Sequence, residues 1–255
     1  MRTAILVDGG FFVRRFSSVY PDIDRQDPVI VAKTMFSMCL KHLEPPKKRD
    51  AKGDRIPSRV ETGSLYRIFF YDCPPLTKKL HSPILKKSVD MKKSDQAIFR
   101  LALHDELRRQ RKTALRLGHL DERNAEWRLK NGRLKELLDG KKLWADLTDD
   151  DFQYYARQKV VDLKIGLDIA LLAEKKLVDQ IVLVAGDADF VPASKHARRE
   201  GVDFILDSMW NPVMPELFEH IDGLRSVAPR PKHGKAKKAA PAAEPAPVVA
   251  LPAQK

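Results

Sequence analysis

The sequence predicts an α/β fold in which a mainly parallel sheet lies between layers of helices. Short apolar runs rich in β-branched residues, typical of strands buried on both faces, alternate with segments of helical periodicity. The clearest run is IVLV at residues 181–184, which is followed closely by the carboxylates Asp187 and Asp189. A second run, AILV at residues 4–7, ends in Asp8. We therefore expect both strands to bring acids to the carboxyl edge of the sheet, where α/β folds bind ligands.

The composition limits the class of protein. The chain has 255 residues, enough for one sizeable core, and its net charge of +12 at pH 7 slightly favours a polyanionic partner over a merely soluble charged surface. No apolar run reaches the roughly 18 residues of a membrane span, and the first residues are better interpreted as a strand than as a secretory signal. Only two cysteines occur, so we expect a cytoplasmic protein without a disulfide framework or a structural zinc site.

The rest of the chain continues the alternation of helices and strands. Apolar positions in the helical segments recur at steps of three and four residues, which is typical of one buried helix face. The strand before Asp72 ends at that carboxylate, which either lies at the sheet edge or caps a turn. The predicted elements after the first strand are a helical turn at 11–16, helix 29–43, strand 65–71, helix 95–112, helix 159–173, strand 181–184, a helix from 191 to about 200, strand 202–206 and helix 213–224.

Three segments interrupt this pattern within a predicted domain of residues 1–225. Residues 44–62 are polar and contain proline, which is typical of a surface loop. Residues 113–150 are predicted as a helical and irregular insertion, although 113–117 also fit a strand. Residues 226–255 are rich in Lys, Pro and Ala and carry six Lys or Arg against a single Glu. We expect this last segment to be a disordered basic tail.

Four carboxylates are candidates for a metal site, because three of them follow predicted strands and Asp162 begins the helix that leads into the strand at 181–184. Carboxylates brought together repel one another unless a cation lies among them. Oxygen ligands without a His or Cys cluster favour Mg²⁺ or Mn²⁺. Such an ion can activate a water and stabilise a leaving oxygen, so the expected reaction is phosphodiester hydrolysis. The four acids are Asp8, Asp162, Asp187 and Asp189.

Each acid also has a structural interpretation, which the sequence leaves open. Asp8 and Asp189 can be N-caps of the turn or helix that follows them. Asp187 can accept hydrogen bonds from the loop backbone, and Asp162 can interact with the dipole of its own helix. The coincidence of several acids at strand ends favours a metal site. The phosphate-binding and nucleophile motifs GxxxxGK[ST], GxGxxG and GxSxG are absent from the sequence.

Three segments resemble the NYN domain family, in its LabA-like branch, within the PIN-like nuclease fold. They are AILVDGGFF at residues 4–12, QKVVDLKIGLDIALLA at 158–173 and IVLVAGDADFVPASKHARREGV at 181–202. The resemblance implies a PIN-like three-layer sandwich and a divalent-metal-dependent nuclease, most simply a ribonuclease. It implies that the metal-binding and catalytic acids are Asp8, Asp162, Asp187 and Asp189, with Asp168 as an auxiliary acid.

The leading functional prediction is a cytoplasmic, Mg²⁺- or Mn²⁺-dependent endonuclease that cuts single-stranded RNA. The alternative is a non-catalytic nucleic-acid-binding regulatory adaptor with the same fold, which is favoured by Phe11 because many members of the family that the chain resembles carry Asn at that position. A metal-dependent phosphatase acting on small nucleotides is a third hypothesis. The oligomeric state is left open, a homodimer being one option. Candidate contacts to the nucleic-acid backbone are Lys159, Lys164, Arg198 and Arg199.

Overall fold

The computed structural model describes residues 1–45 and 62–231, together with the strand pair Lys48–Arg49 and Arg55–Ile56. Most of the loop predicted at 44–62, and the tail predicted at 226–255 from residue 232 onward, lie outside the described residues. Within the described residues the helices are α1 (Gly9–Val19), α2 (Pro28–Lys41), α3 (Asp95–Arg109), α4 (Arg133–Leu138), α5 (Val161–Glu174), α6 (Val191–Arg199) and α7 (Pro215–Phe218).

The strands of the described residues fall into one large sheet and several two-stranded ribbons. In chain order they are β1 (Arg2–Asp8), β2 (Lys48–Arg49), β3 (Arg55–Ile56), β4 (Ser64–Asp72), β5 (Lys79–His81), β6 (Ser88–Asp90), β7 (Thr113–Leu117), β8 (His119–Leu120), β9 (Glu126–Leu129), β10 (Phe152–Tyr155), β11 (Gln158–Lys159), β12 (Gln180–Val184), β13 (Asp203–Asp207) and β14 (Gly223–Leu224).

The central sheet has six parallel strands in the order β14-β13-β12-β1-β4-β7. β1 lies in the interior of the sheet and pairs with β12 on one side, where Ala4 is opposite Ile181 and Val7 is opposite Val184. On its other side β1 pairs with β4. The predicted mainly parallel sheet is therefore confirmed, and the first strand and the strand at 181–184 are neighbours.

Helices cover both faces of this sheet. Ala4 and Leu6 pack in a cluster with α5 and α6, whereas Ile5 and Val7 pack on the opposite face with α1, α2 and α3. A strand covered on both faces is apolar at successive positions, which explains the unbroken AILV and IVLV runs. The architecture is a three-layer sandwich, consistent with the PIN-like fold that the sequence predicts.

Residues 113–117 form β7, the edge strand of the central sheet, so of the two interpretations of this segment the strand is confirmed. The chain that follows makes two short antiparallel ribbons, β8–β11 and β9–β10, and the helix α4. A third ribbon, β5–β6, follows β4. The part of the predicted insertion that lies outside the central sheet thus begins at Gly118.

The prediction of a helix at 213–224 is wrong over most of that range. The structure has only the four-residue helix α7, and the chain then joins the sheet as β14. Sheet hydrogen bonds replace the helical ones, because Asp222 N–H donates to Phe204 O and Arg225 N–H donates to Leu206 O, each at 2.8 Å. Across the described parts of the chain, we find no helix whose length and apolar character would allow it to cross a membrane.

Candidate functional site

Aspartates gather at the carboxyl edge of the central sheet. Asp8, Asp72 and Asp207 are the last residues of β1, β4 and β13. Asp187 comes three residues after the end of β12. Because these strands are parallel, their carboxyl ends share one edge, the edge at which α/β folds bind ligands.

Asp8 caps α1 and is half-buried. Its Oδ1 accepts a hydrogen bond from the backbone N–H of Phe11 at 3.0 Å, so the capping interpretation holds for this oxygen. Burial raises the pKa of Asp8 above its ordinary value, while the Phe11 hydrogen bond and the charge of Arg14 oppose that rise. The negative charge of Asp162 also raises the pKa of Asp8, because the two carboxylates lie within electrostatic range of each other.

Asp162 lies in the first turn of α5, within electrostatic range of the loop after β12. Its pKa is raised by partial burial and by the negative charges of Asp187 and Asp189. The four acids that the sequence predicts as a metal site therefore meet around Asp162, which lies within electrostatic range of the other three. They arrive from three separate elements: the end of β1, the start of α5 and the loop between β12 and α6.

Asp187 and Asp189 are exposed on the short 3₁₀ turn Ala188–Phe190. Asp187 Oδ1 accepts the backbone N–H of Asp189 at 3.1 Å and caps this turn, as its structural interpretation requires. Asp189 does not cap α6, since the N-cap residue is Phe190 and no side chain makes a capping hydrogen bond there. The Asp189 carboxylate therefore projects from the loop without the structural role that the sequence allowed.

The four carboxylates lie near one another but not at ligand spacing. Within residues 1–45 and 62–231, no three His, Cys, Asp or Glu side chains are arranged closely enough to hold a metal ion. The donor set nevertheless fits a hard divalent cation in its chemistry, because it consists of carboxylate oxygens. Mutual repulsion raises the pKa of Asp162, and a cation among these acids would relieve it.

The sequence resemblance implies a PIN-like fold with acids at one edge of its sheet. The structure has such a sheet, and the acids lie at its carboxyl edge. Residues 105–218 match the NYN domain. NYN is a family of PIN-like nucleases, and the match confirms the resemblance predicted from the sequence motifs. The NYN match includes Asp162, Asp168, Asp187 and Asp189 but begins after Asp8.

The chain was also compared with solved structures and with curated proteins. A solved structure of a protein of unknown function from Vibrio parahaemolyticus is 14% identical to the chain, with a TM-score of 0.39. The similarity covers 88% of this chain and 91% of that one. No curated protein matches the chain.

Asp168, also within the NYN match, lies apart from the four acids. Its Oδ2 accepts a hydrogen bond from the buried Tyr71 hydroxyl at 2.7 Å and pairs with Arg116 Nε at 3.2 Å. These contacts connect α5 to β4 and β7, so Asp168 helps to hold the helix against the sheet. The burial of Tyr71 and the charge of Asp168 raise the pKa of the Tyr71 hydroxyl, which keeps it protonated as the donor.

The predicted backbone-binding residues divide between the two edges of the sheet. Lys159 Nζ pairs with Asp121 Oδ2 at 2.6 Å, and Lys164 Nζ donates to Leu117 O at 2.6 Å, at the carboxyl end of β7. Arg198 and Arg199 lie at the far end of α6 from the acids, about 12 Å along the helix by its rise per residue. Only the two lysines of the predicted set accompany the acidic edge.

Arg14 is a candidate that sequence reasoning missed. It is exposed on α1, and its charge lowers the pKa of Asp8. The signal was its position one helical turn after Gly10, which brings the guanidinium back toward the start of the helix. A cation beside Asp8 can neutralise a phosphate held at the same edge.

The buried partners of Asp72 were also missed. Arg100 and His104, one turn apart on α3, both contact Asp72 Oδ2, the imidazole at 2.8 Å. Burial opposes ionisation of Asp72, but these contacts outweigh it and hold the pKa below the ordinary carboxyl value. Asp72 is thus an internal partner of α3, in contrast to the exposed acids of the NYN match.

Phe11, in the first turn of α1, packs against the loop after β12. Its ring lies so close to Gly186 that a Cβ added at Gly186 would come within 2.5 Å of Phe11 Cε2. The ring is buried and packs where the loop leaves β12. The loop that carries Asp187 is therefore positioned partly by an aromatic side chain from α1.

Proposed function

We propose that the chain is a divalent-metal-dependent endonuclease that hydrolyses single-stranded RNA. The observation that carries the proposal is the convergence of four acids from three elements, in which Asp162 lies within electrostatic range of Asp8, Asp187 and Asp189. The NYN match supports a nuclease of the PIN-like class. Two free, buried cysteines, Cys39 and Cys73, fit a reducing cytoplasm, where we propose that the protein acts.

In this proposal Asp8, Asp162, Asp187 and Asp189 would hold Mg²⁺ or Mn²⁺. When bound, the ion lowers the pKa of a water and stabilises the departing oxygen of the phosphodiester. Arg14 binds a non-bridging phosphate oxygen and balances the charge that develops beside Asp8. The Asp187 hydrogen bond to Asp189 N–H and the Phe11 contact hold the loop in place, so that little reorganisation is needed during the reaction.

A basic segment beside the acids supports a nucleic-acid substrate. Residues 78–93, which we call the lysine arm, contain six lysines and one acid and include the ribbon β5–β6. Lys79, Lys86, Lys92 and Lys93 are exposed there and make no ion pair within the described part of the chain. The arm follows β4 at the carboxyl edge, where it can hold phosphates on either side of the reacting one. The choice of RNA over DNA rests on the resemblance to the NYN family.

The proposal predicts a loss of cleavage when Asp187 is neutralised. We expect Asp187→Asn to lower RNA cleavage by more than about a hundredfold, because it removes a charge that the metal requires. The measurement is cleavage of end-labelled single-stranded RNA and single-stranded DNA in Mn²⁺, in Mg²⁺ and in EDTA. The control is Asp22→Asn, which neutralises an exposed acid far from the loop and should leave the rate unchanged. Cleavage that persists in EDTA or in Asp187→Asn would refute the proposal.

The contact between Phe11 and Gly186 favours one alternative, a non-catalytic RNA-binding adaptor. An aromatic ring in place of Asn removes a polar side chain from the acidic edge. An adaptor would bind RNA with a strong dependence on salt but leave it uncut in every metal. In that case Phe11→Asn is the variant in which to look for a gain of cleavage.

A further inference from the structure

A pocket opens beside the acids and is used by none of the steps above. It has a volume of about 140 Å³ and lies between the start of α3, the Cys73–Pro74–Pro75 segment after β4, and the chain from β10 to β11. Gln158 links it to the acidic edge. A Cβ built on Gly10 would lie 4.0 Å from Gln158 Oε1 and 3.3 Å from Asp8 Oδ1.

The walls of the pocket combine flat apolar surfaces with neutral hydrogen-bonding groups. Pro74, Pro75 and Leu120 supply the apolar area, and Tyr154 supplies an aromatic ring. Gln96 and Gln158 supply amides, each of which can both donate and accept hydrogen bonds. This is the complement of a nucleobase, which has two apolar faces and an edge of donors and acceptors.

Among the described residues that line the pocket, the single cation is already neutralised. Arg100 lines the pocket, but its guanidinium is paired with the buried carboxylate of Asp72. A phosphate entering the pocket would therefore meet a neutral ion pair rather than a free positive charge. The free lysines lie outside, at the rim, where Lys92 and Lys93 follow the lining residue Met91.

We propose that this pocket binds one nucleobase of the single-stranded substrate, next to the phosphodiester that reaches the acids. The inference rests on the proposed function, since it assigns a base-binding subsite to the same substrate. The base stacks on Tyr154 and the proline surfaces and is read by Gln96 and Gln158. The lysine arm holds the phosphates on the solvent side, so the pocket gives the enzyme a preference for one base at one position.

The test measures binding in EDTA, so that cleavage does not enter the result. Fluorescence anisotropy compares short labelled oligomers of A, C or U with an oligomer of the same length whose residues are abasic. We expect the wild-type protein to bind one base-bearing oligomer at least about fivefold more tightly than the abasic one, as base–aromatic stacking allows.

Two variants alter the pocket, each with a matched control. Ala156→Trp fills the pocket, and Ala145→Trp adds the same side chain at an exposed position outside it. Gln96→Ala removes a reading group from an exposed helix position, and Gln153→Ala removes an exposed amide elsewhere. We expect both pocket variants to lose most of the base preference and both controls to keep it. Gln96→Ala keeps the test valid if Ala156→Trp does not fold.

The outcomes separate the pocket from the nuclease. The base-binding proposal is overturned if the wild-type protein binds base-bearing and abasic oligomers equally, or if Gln96→Ala keeps the base preference. Either result would count against the pocket even if the protein cuts RNA. A base preference that both pocket variants abolish would support the pocket, even if every metal leaves the RNA uncut. In that last case the proposed nuclease fails and the adaptor stands.

Discussion

Two aspartates at the ends of neighbouring strands show how far the surroundings of a residue decide its role. Asp8 ends β1 and Asp72 ends β4, yet the pKa of Asp8 is raised and that of Asp72 is lowered. Both are desolvated, but the exposed Arg14 and the Phe11 N–H offset the burial of Asp8 only in part, whereas Arg100 and His104 contact the Asp72 carboxylate directly. Asp8 can therefore still gain from a cation supplied from outside, while Asp72 already has its partners within the fold.

This difference leads to a prediction for Asp72. We expect Asp72→Asn to lower the free energy of unfolding at pH 7 by about 3 kcal/mol, because it leaves Arg100 buried without its counter-charge. A carboxyl whose pKa is depressed in the fold stabilises above its unfolded pKa, near 3.8, and loses that effect as the pH falls toward the folded value. The difference between wild type and variant should therefore shrink below about pH 4.

Urea unfolding from pH 7 down to pH 3 measures both parts of that prediction. Asp139→Asn serves as the control, since its pair with Lys141 is largely exposed and should contribute little. A destabilisation of Asp72→Asn that is small at pH 7, or that stays constant down to pH 3, would contradict the account of the buried pair.

Residue by residue, the sequence predicted the acids better than their partners. Asp8, Asp162, Asp187 and Asp189 follow recognisable strand and helix signals within a few positions of each residue. Arg14 comes to Asp8 through the turn of α1, and the partners of Asp72 come from a helix that begins more than twenty residues later. Partners supplied by another element depend on packing, which local patterns do not encode.

At the scale of elements, the contact between Phe11 of α1 and Gly186 in the loop after β12 gives a further prediction. We expect Gly186→Ala to destabilise the fold by about 1–3 kcal/mol, because its methyl group would overlap the buried ring of Phe11. Cleavage should fall with it, since Asp187 follows directly. The double variant Phe11→Ala/Gly186→Ala should be less destabilised than the sum of its single changes, because the smaller side chain makes room.

Thermal and urea unfolding of the two single variants and the double variant measure this coupling. Gly166→Ala is the control, since a Cβ at Gly166 meets nothing within 4 Å and alanine suits a helix. Strictly additive effects of the two changes would show that the ring and the loop do not constrain each other.

The lysine arm, residues 78–93, gives a prediction for RNA binding. We expect Lys79→Ala/Lys93→Ala to weaken RNA binding and to reduce the slope of log K against log salt by roughly 1.4, as the loss of two phosphate contacts to a single strand requires. Lys195→Ala/Arg199→Ala removes the same charge from exposed positions in the second half of α6 and should leave the slope unchanged. The reverse pattern would place the RNA on the opposite edge of the sheet, where the sequence predicted Arg198 and Arg199.

At the scale of elements, buried strands were the most predictable parts and helix faces the least. α5 is apolar around most of its circumference, so its spacing did not show which side packs on the sheet. Ile165 and Ile169 are buried, whereas the equally apolar Leu163, Leu167 and Leu171 are exposed. The helix predicted at 213–224 failed for a related reason, because hydrogen bonds to β13 override a local helical pattern.

For the molecule as a whole, the candidate site depends on the order of the strands. The NYN match begins at residue 105, but Asp8 lies outside it and reaches the acids only because β1 lies between β4 and β12. The α/β class could be predicted from the apolar runs, and the arrival of acids at the carboxyl edge from their positions after those runs, whereas the pairing of β1 with β12 comes from the structure. The ribbons that form the pocket could not, because their strands of two to four residues are too short for a periodic signal.

The interior position of β1 also has a consequence during synthesis on the ribosome. Thr3 pairs with a residue 177 positions later, Gln180, so the first strand emerges long before its second neighbour exists. At ordinary rates of translation this delay is roughly 9 to 35 s. The nascent chain must keep one edge of an apolar strand unpaired for that time, since only β4 is made early. Asp8 cannot meet its partner acids until the segment that carries Asp187 and Asp189 has been made.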